Sequence, residues 1–457
     1  MEDFKVNVIT VIIDSLRADH VGLNGIKDIK TPHLDEFGQE CVRFTKAYPE
    51  SLATIPVRKA LWNGKRDFPF WDWKPWRQAP VPGWNPMPEK PDCMSEILKD
   101  DGWKTALLTD TYHVFKPDMN FHRGFKEYRW IRGQEHDYYR SGKVTDIDYQ
   151  KYATPRMSYT PFYQEVFNNY LKNNQDRHHE EQWSVAKLFK YAACWLEENY
   201  RDEDPFFLVV DSFCPHEPFD PPRYYSDMYN PGYKGIEVIL PHYSEAMDYM
   251  DERELEHVRA LYAGQCTLTD RWFGYFMETV KNLNLFDNTI ITVMTDHGHL
   301  LGERGFIGKP SSGVYPEVLD LVYWIRNPGQ KPQVIDSLVY NHDLFPTLFY
   351  LLGKEIPEWA EGENLWELVE GKKEKHRDYL TSILKNWGVV FDGEYALIIT
   401  TKGEGARLYH VANDPHWTEN ITDQKPEEVR RLFELLKKDG GGSLPDNLPE
   451  GGGSWIF

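Results

Sequence analysis

The sequence predicts an α/β protein built on a large, mostly parallel sheet, and three observations predict it. Apolar runs of strand length each end in an acid: "VNVITVIID" at Asp14, "PFFLVVDSF" at Asp211 and "NTIITVMTDHG" at Asp296. Such runs lack polar alternation, as a strand buried on both faces requires. Between them lie stretches of helical periodicity, "SVAKLFKYAACWLEENY" and "ALYAGQCTLTDRWFGYFMETVKNLNL", and strands alternating with helices imply parallel crossovers. "LDLVYWIRNPG" reads as a further strand. In open sheets of this kind ligands bind beyond the carboxyl ends of the strands. Asp14, Asp211, Asp296 and His297 all fall there.

A chain of 457 residues exceeds one small core. Beyond Gly353 the pattern changes: "NWGVVFDGEYALIITTKGEGARLYHV" reads as short antiparallel strands with Gly turns, followed by a helix in "PEEVRRLFELLKK". The expected division is a large domain over 1–355 and a smaller α+β domain over 356–457. The tail "GGGSLPDNLPEGGGSWIF" is expected to be extended or packed along the surface. The Trp- and Pro-dense stretch "FWDWKPWRQAPVPGWNPMP" and the polar, Tyr-rich region from about 132 to 180 are expected to be irregular. Both read equally well as loops shaping an entrance or as packed surface insertions. Internal repeats are absent.

The formal net charge of −20 argues against nucleic-acid and anionic-membrane partners, which need a basic footprint. An anionic small molecule still fits a cleft made locally positive by cations or a metal. The five cysteines, Cys41, Cys93, Cys194, Cys214 and Cys266, are scattered and odd in number. They suggest neither a disulfide framework nor a thiolate zinc site. "MEDFKVNVITVIIDSLRADH" reads as a buried strand and not a signal peptide. No segment has the apolar length of a membrane span, and a cytoplasmic location is the expectation.

A lone Asp at a strand end is usually a turn or helix cap. Three such ends, one carrying Asp296-His297-Gly298, can instead converge on a divalent cation. Mixed carboxylate and imidazole ligation favours Zn or Mn, with Ca or Mg as alternatives. In "YPESLATIPVRKALWNGKR" Pro56 favours a helix start, which aims backbone N–H groups at an anion. Arg58 lies one turn after Thr54.

These segments carry a family resemblance. "VIIDSLRADHVGLNG…TPHLDEFGQECVRFTKAYPES", "TIPVRKALWNG", "DSFCPHEPFDPP", "TDHGHLLGERGFIGKPSSGVYPE", "HDLFPTLFYLLG" and "LYHVANDPHWTENI" occur in one order along nearly the whole chain. Together they resemble the sulfatase branch of the alkaline phosphatase superfamily. The resemblance implies an alkaline-phosphatase-like sheet, with 1–355 as the catalytic domain and the 356–457 domain carrying a short antiparallel sheet. It implies a small anionic ester as substrate and leaves room for a homo-oligomer. Asp14, Asp296 and His297 would be metal ligands, with the Thr54 oxygen also touching the metal. Thr54 would stand at the nucleophile position and Arg58 would neutralise and orient its alkoxide. His216 and Lys309 would contact the transferring group or leaving oxygen, and His113 falls near the family's Gly-Lys-Trp-His element, whose Lys is not reproduced. Asp211, His216 and His342 could form a second metal site as in two-metal relatives, but their spacing favours core or strand-end roles.

Two departures bear on the chemistry. Where sulfatases place a second consecutive Asp ligand, this chain has Ser15. Losing that carboxylate and gaining His297 makes the pattern look more like the phosphonate and phosphate diester hydrolases of the branch. Sulfatases also oxidise a Cys or Ser to formylglycine at the position held here by Thr54, and the Cβ methyl of Thr closes that route. An unmodified Thr hydroxyl can act instead if a metal lowers its pKa. The resulting expectation is a phosphothreonine intermediate in a hydrolase of phosphate mono- or diesters or phosphonate monoesters. Sulfate ester hydrolysis, transfer to an alcohol and a catalytically silent scaffold are the alternatives, in falling order.

Overall fold

The three acid-ended runs become adjacent parallel strands. A computed structural model describes residues 6–75, 81–115, 119–142, 148–157 and 160–449. Part of the Trp- and Pro-dense stretch and the last residues of the Gly/Pro-rich tail lie outside these. Strands β1 (Asn7–Ile13), β5 (Phe206–Ser212) and β6 (Thr289–Thr295) are buried along their whole length. They belong to one sheet with β2 (Val42–Tyr48), β3 (Lys104–Thr109), β4 (Glu127–Trp130), β9 (Tyr323–Arg326) and β10 (Gln333–Tyr340). A short hairpin, β7 (Leu300–Leu301) and β8 (Ile307–Gly308), stands apart. The sheet order is β10-β2-β9-β6-β1-β5-β3-β4, and β9 alone runs antiparallel to its neighbours. This is the large mostly parallel sheet expected.

Alternation along β1 sends side chains into two cores, as the period of a strand demands. Val8 and Ile12 join a cluster with Leu61, Met94 and Leu98. These come from α2 (Thr54–Asn63) and α3 (Met94–Asp100). Ile9, Val11 and Ile13 join a cluster on the other face with Leu188, Ala192, Val258 and Leu261. Those residues sit on the helices Ser184–Asn199 and Glu252–Asn282. The longer of these two is opened by a capping box between Asp251 and Glu254.

The C-terminal segment forms an antiparallel sheet of four strands, β11 (Leu380–Leu384), β12 (Trp387–Phe391), β13 (Tyr395–Thr400) and β14 (Arg407–His410). Its one face packs under the helix Pro426–Asp439 through Leu432 and Leu436. Its other face, through Leu384, Val389 and Ile398, merges with the core of the large sheet. The Leu52 N–H donates to the Ile383 carbonyl at 2.9 Å, so β11 braces the turn just before Thr54. The Tyr-rich region is less irregular than expected. It holds a helix, Pro161–Asn174, with Thr160 as its cap and Pro161 at its first turn.

Gly298 shows how tightly the turn after β6 is built. A Cβ there would lie 2.0 Å from the Glu317 carbonyl oxygen. Only glycine allows the backbone at Asp296 and His297 to pass this close to the next element. Gly298→Ala is expected to destabilise the fold by on the order of 1–3 kcal/mol and to displace His297. Thermal denaturation checks it; an unchanged Tm would show that the turn relaxes at no cost.

Candidate active site

Parallel register brings the strand ends together. Ile13 pairs with Thr295 on one side and Ser212 on the other, so Asp14 and Asp296 emerge side by side and Asp211 sits one step back on β5. All three carboxylates are buried, and so is Arg58. Ser15, the residue at the missing Asp position, adopts a left-handed backbone with φ of 57°. In that conformation, uncommon for a non-glycine residue, its N–H donates to Asp296 Oδ1 at 2.9 Å and its hydroxyl donates to Asp14 Oδ1 at 2.9 Å. Ser15 thus orients two acids in place of supplying a third.

Asp14, Asp296 and His297 bring ligand atoms within 4.8 Å of one another. Nδ1 of His297 faces the Gly298 carbonyl oxygen at 2.9 Å. A carbonyl only accepts, so Nδ1 carries the proton and Nε2 presents its lone pair. Burial above all holds His297 neutral, with its pKa lowered to about 4. Burial and the neighbouring Asp296 push Asp14 well above the ordinary carboxylate range, and Arg58 only partly offsets this. Burial would also raise Asp296, but Arg58 and the Ser15 N–H hold it low. Asp14 Oδ2 lies 3.1 Å from Arg58 Nη2 yet receives no hydrogen bond. An unprotonated imidazole nitrogen and an under-satisfied buried carboxylate oxygen are the donor set a Zn- or Mn-type cation takes. The residues fit the group.

Thr54, the first residue of α2, lies beside this set, with its Oγ1 3.3 Å from His297 Nε2. It opens on a cavity of about 50 Å³, lined also by Trp84, His113, Glu135, His216, Glu217 and Lys309 among others. Lys309, just after the β7–β8 hairpin, reaches Ser15 Oγ at 3.4 Å and His216 Nε2 at 3.1 Å. His216 Nδ1 meets the Glu217 carbonyl at 2.8 Å, and burial lowers its pKa to about 3. His216 is therefore a neutral acceptor for the Lys309 ammonium. His113 pairs through Nε2 with Glu135 at 3.0 Å. The structure brings Thr54, His113, His216 and Lys309 to one cavity, next to Asp14, Asp296 and His297.

Arg58 departs from expectation. Its Nε and Nη2 grip Asp211 at 2.7 to 3.2 Å, and its Nη1 meets Asp296 Oδ2 at 2.6 Å. Nη1 also donates to the carbonyl oxygen of Thr54, at 3.1 Å, and not to its hydroxyl. Arg58 thus braces acids and backbone here, where an alkoxide clamp was expected. The spacing that favours core or strand-end roles for Asp211, His216 and His342 agrees with the structure, where these three together form no group at metal-ligand distance among the described residues. Asp211 is taken by Arg58, while His342 stacks on Tyr340 with ring centroids 5.0 Å apart. Among the described residues the other group with metal-ligand spacing is Glu135, His216 and Glu217. It fits a cation poorly, because both His216 nitrogens are already engaged.

Glu135 and Glu217 escaped the sequence reading. Glu217 follows His216 directly, so its position carried a signal. Glu135 had none: its loop is placed by Gln134, which donates to Asp110 at 3.1 Å, and by the Arg132–Asp137 pair.

The sulfatase family model matches residues 6–354, and the chain belongs to that family, whose members are ester hydrolases of the alkaline phosphatase superfamily. An ulvan-active sulfatase of Formosa agariphila is 26% identical over 98% of this chain and 82% of its own length. An arylsulfatase of Clostridium perfringens is 24% identical over 95% of this chain and 93% of its own. The phosphonate monoester hydrolase of Agrobacterium radiobacter superposes with a TM-score of 0.72 at 17% identity, over 95% of this chain and 96% of its own. That likeness shows the fold.

A cation binds the deprotonated ligands, so its affinity must weaken as protons return to Asp14. Because burial and Asp296 raise Asp14, Mn²⁺ affinity is expected to fall on acidification already over the pH range in which an ordinary carboxylate stays ionised. Calorimetric titration across that range checks it. Constant affinity would mean that Asp14 is not a ligand.

Proposed function

We propose that this enzyme hydrolyses phosphate mono- or diesters or phosphonate monoesters through a covalent intermediate on Thr54. One observation carries the reading: a Thr hydroxyl, which cannot become the formylglycine aldehyde, lies 3.3 Å from His297 Nε2 and lines a cavity shared with His216 and Lys309. Asp14, Asp296 and His297 would hold a divalent cation, whose chemistry when bound would be to lower the pKa of a hydroxyl beside it. The N-terminus of α2 faces the same point with its backbone dipole. Thr54 Oγ gives its proton to solvent and attacks phosphorus, and the bond to the leaving oxygen breaks. Lys309, its ammonium steered by neutral His216, gives that oxygen a proton. Water then attacks phosphorus and passes a proton to the Lys309 amine, and the Thr54 oxygen leaves and is reprotonated from solvent. His113 and its Glu135 partner orient the group in the cavity.

The curated relatives named as sulfatases favour a second reading, sulfate ester hydrolysis. Against it, a sulfated Thr has no hemiacetal breakdown by which to release sulfate. All five cysteines are free thiols, four of them buried, which supports a cytoplasmic setting. No helix among the described residues is long and apolar enough to cross a membrane.

Thr54→Ala is expected to abolish turnover while keeping the fold and most metal affinity; Thr54→Ser should retain measurable activity. The assay compares p-nitrophenyl phosphate, its phenyl diester, p-nitrophenyl phenylphosphonate and p-nitrophenyl sulfate, each with Mn²⁺ and with Zn²⁺. Phosphorus esters should be the faster substrates. Wild-type rates in Thr54→Ala would remove the nucleophile, and sulfate as the best substrate would reverse the choice of ester.

A further inference from the structure

We infer that Asp211 is a positioning residue that draws the Arg58 guanidinium away from Asp14 and Asp296, so that these two acids keep the charge a divalent cation needs. The inference rests on the cation site of the proposed function. Arg58 is the cation nearest both ligand acids, with Nη1 2.6 Å from Asp296 Oδ2 and Nη2 3.1 Å from Asp14 Oδ2. A buried guanidinium that close competes directly with a metal for the same oxygens.

Asp211 takes the Nε–Nη2 edge of the guanidinium, where it shares Nη2 with Asp14, while Asp296 takes Nη1. The two Asp211 oxygens accept from Nε at 3.2 Å each, and Oδ1 accepts from Nη2 at 2.7 Å. Forked pairing of this kind is the strongest arrangement a carboxylate makes with Arg. The acid itself is anchored, by the ladder of β5 and by the Thr109 hydroxyl donating to Oδ2 at 3.1 Å. Asp211 is absent from the group whose ligand atoms converge within 4.8 Å, so it acts through Arg58.

Charge arithmetic gives the same answer. Once all three buried acids are ionised, as a bound cation requires, they leave two negative charges against one guanidinium, which match one divalent cation. Without the Asp211 charge only one remains, and Arg58 is released onto the ligands.

The test is calorimetric titration of Mn²⁺ into the full chain and into folded Asp211→Asn, Asp211→Glu and the double variant Asp211→Asn with Arg58→Met. Asp211→Asn should bind Mn²⁺ at least about tenfold more weakly, and Asp211→Glu should largely keep the affinity. The double variant has two buried acids and no guanidinium, restoring the same charge. It should return to within about threefold of the wild type. A merely structural Asp211 would not be rescued by deleting its partner. Wild-type affinity in Asp211→Asn, or a double variant no tighter than Asp211→Asn, overturns the inference and leaves the functional reading intact. A wild-type chain that binds no Mn²⁺ removes the cation site itself, and both fall.

Discussion

Three carboxylates and one guanidinium, all withdrawn from water at the ends of neighbouring parallel strands, set the terms for everything around them. Burying ions is costly, and removing one partner from a buried pair costs about 3–5 kcal/mol. The cluster therefore ties its elements together. β1, β5 and β6 must keep the register that aligns Asp14, Asp211 and Asp296, and α2 must keep the phase that aims Arg58 at them. Thr54 is one turn away on the same helix, and Arg58 also holds its carbonyl. The position of the hydroxyl is thus inherited from the ion cluster. The small sheet adds a second hold through Leu52 and Ile383.

That arrangement divides the work of the site. A guanidinium committed to acids is not available to a developing oxyanion, so stabilisation falls to other groups. Lys309 and the proposed cation ligands are joined through Ser15, which touches Asp14, Asp296 and Lys309. His216 and His297 are both locked as neutral tautomers by a carbonyl of the following residue. Each presents Nε2 to the chemistry, one to Lys309 and one to Thr54. Repeating one local device fixes the tautomers on two separate loops.

Much of this was legible in the sequence because it is local. Apolar runs ending in acids gave the strands, and Asp296-His297-Gly298 gave the turn whose glycine admits no side chain. The order of motifs gave the family, and the change of pattern after Gly353 located the antiparallel sheet. What stayed hidden depends on pairing across the fold. Asp211 looks like any strand-end acid until Arg58, far away in sequence, is seen to grip it. Glu135 sits in a polar loop without periodicity, and its neighbour Gln134 is tied to Asp110, distant in sequence. The helix Pro161–Asn174 was missed because its apolar positions are sparse, although its Thr-Pro start is a helix signal.

The central claim is that Thr54, chemically unmodified at rest, becomes covalently bonded to the group it transfers. Rapid acid quenching of the Mn²⁺-loaded enzyme during turnover of p-nitrophenyl phenylphosphonate, followed by peptide mass mapping, addresses it most directly. The good leaving group speeds formation of the adduct and leaves its breakdown unchanged, which favours accumulation. The account predicts a phenylphosphonyl ester on the Thr54 peptide during turnover and the unmodified mass before it. Steady turnover with Thr54 unmodified at every quench time would contradict it.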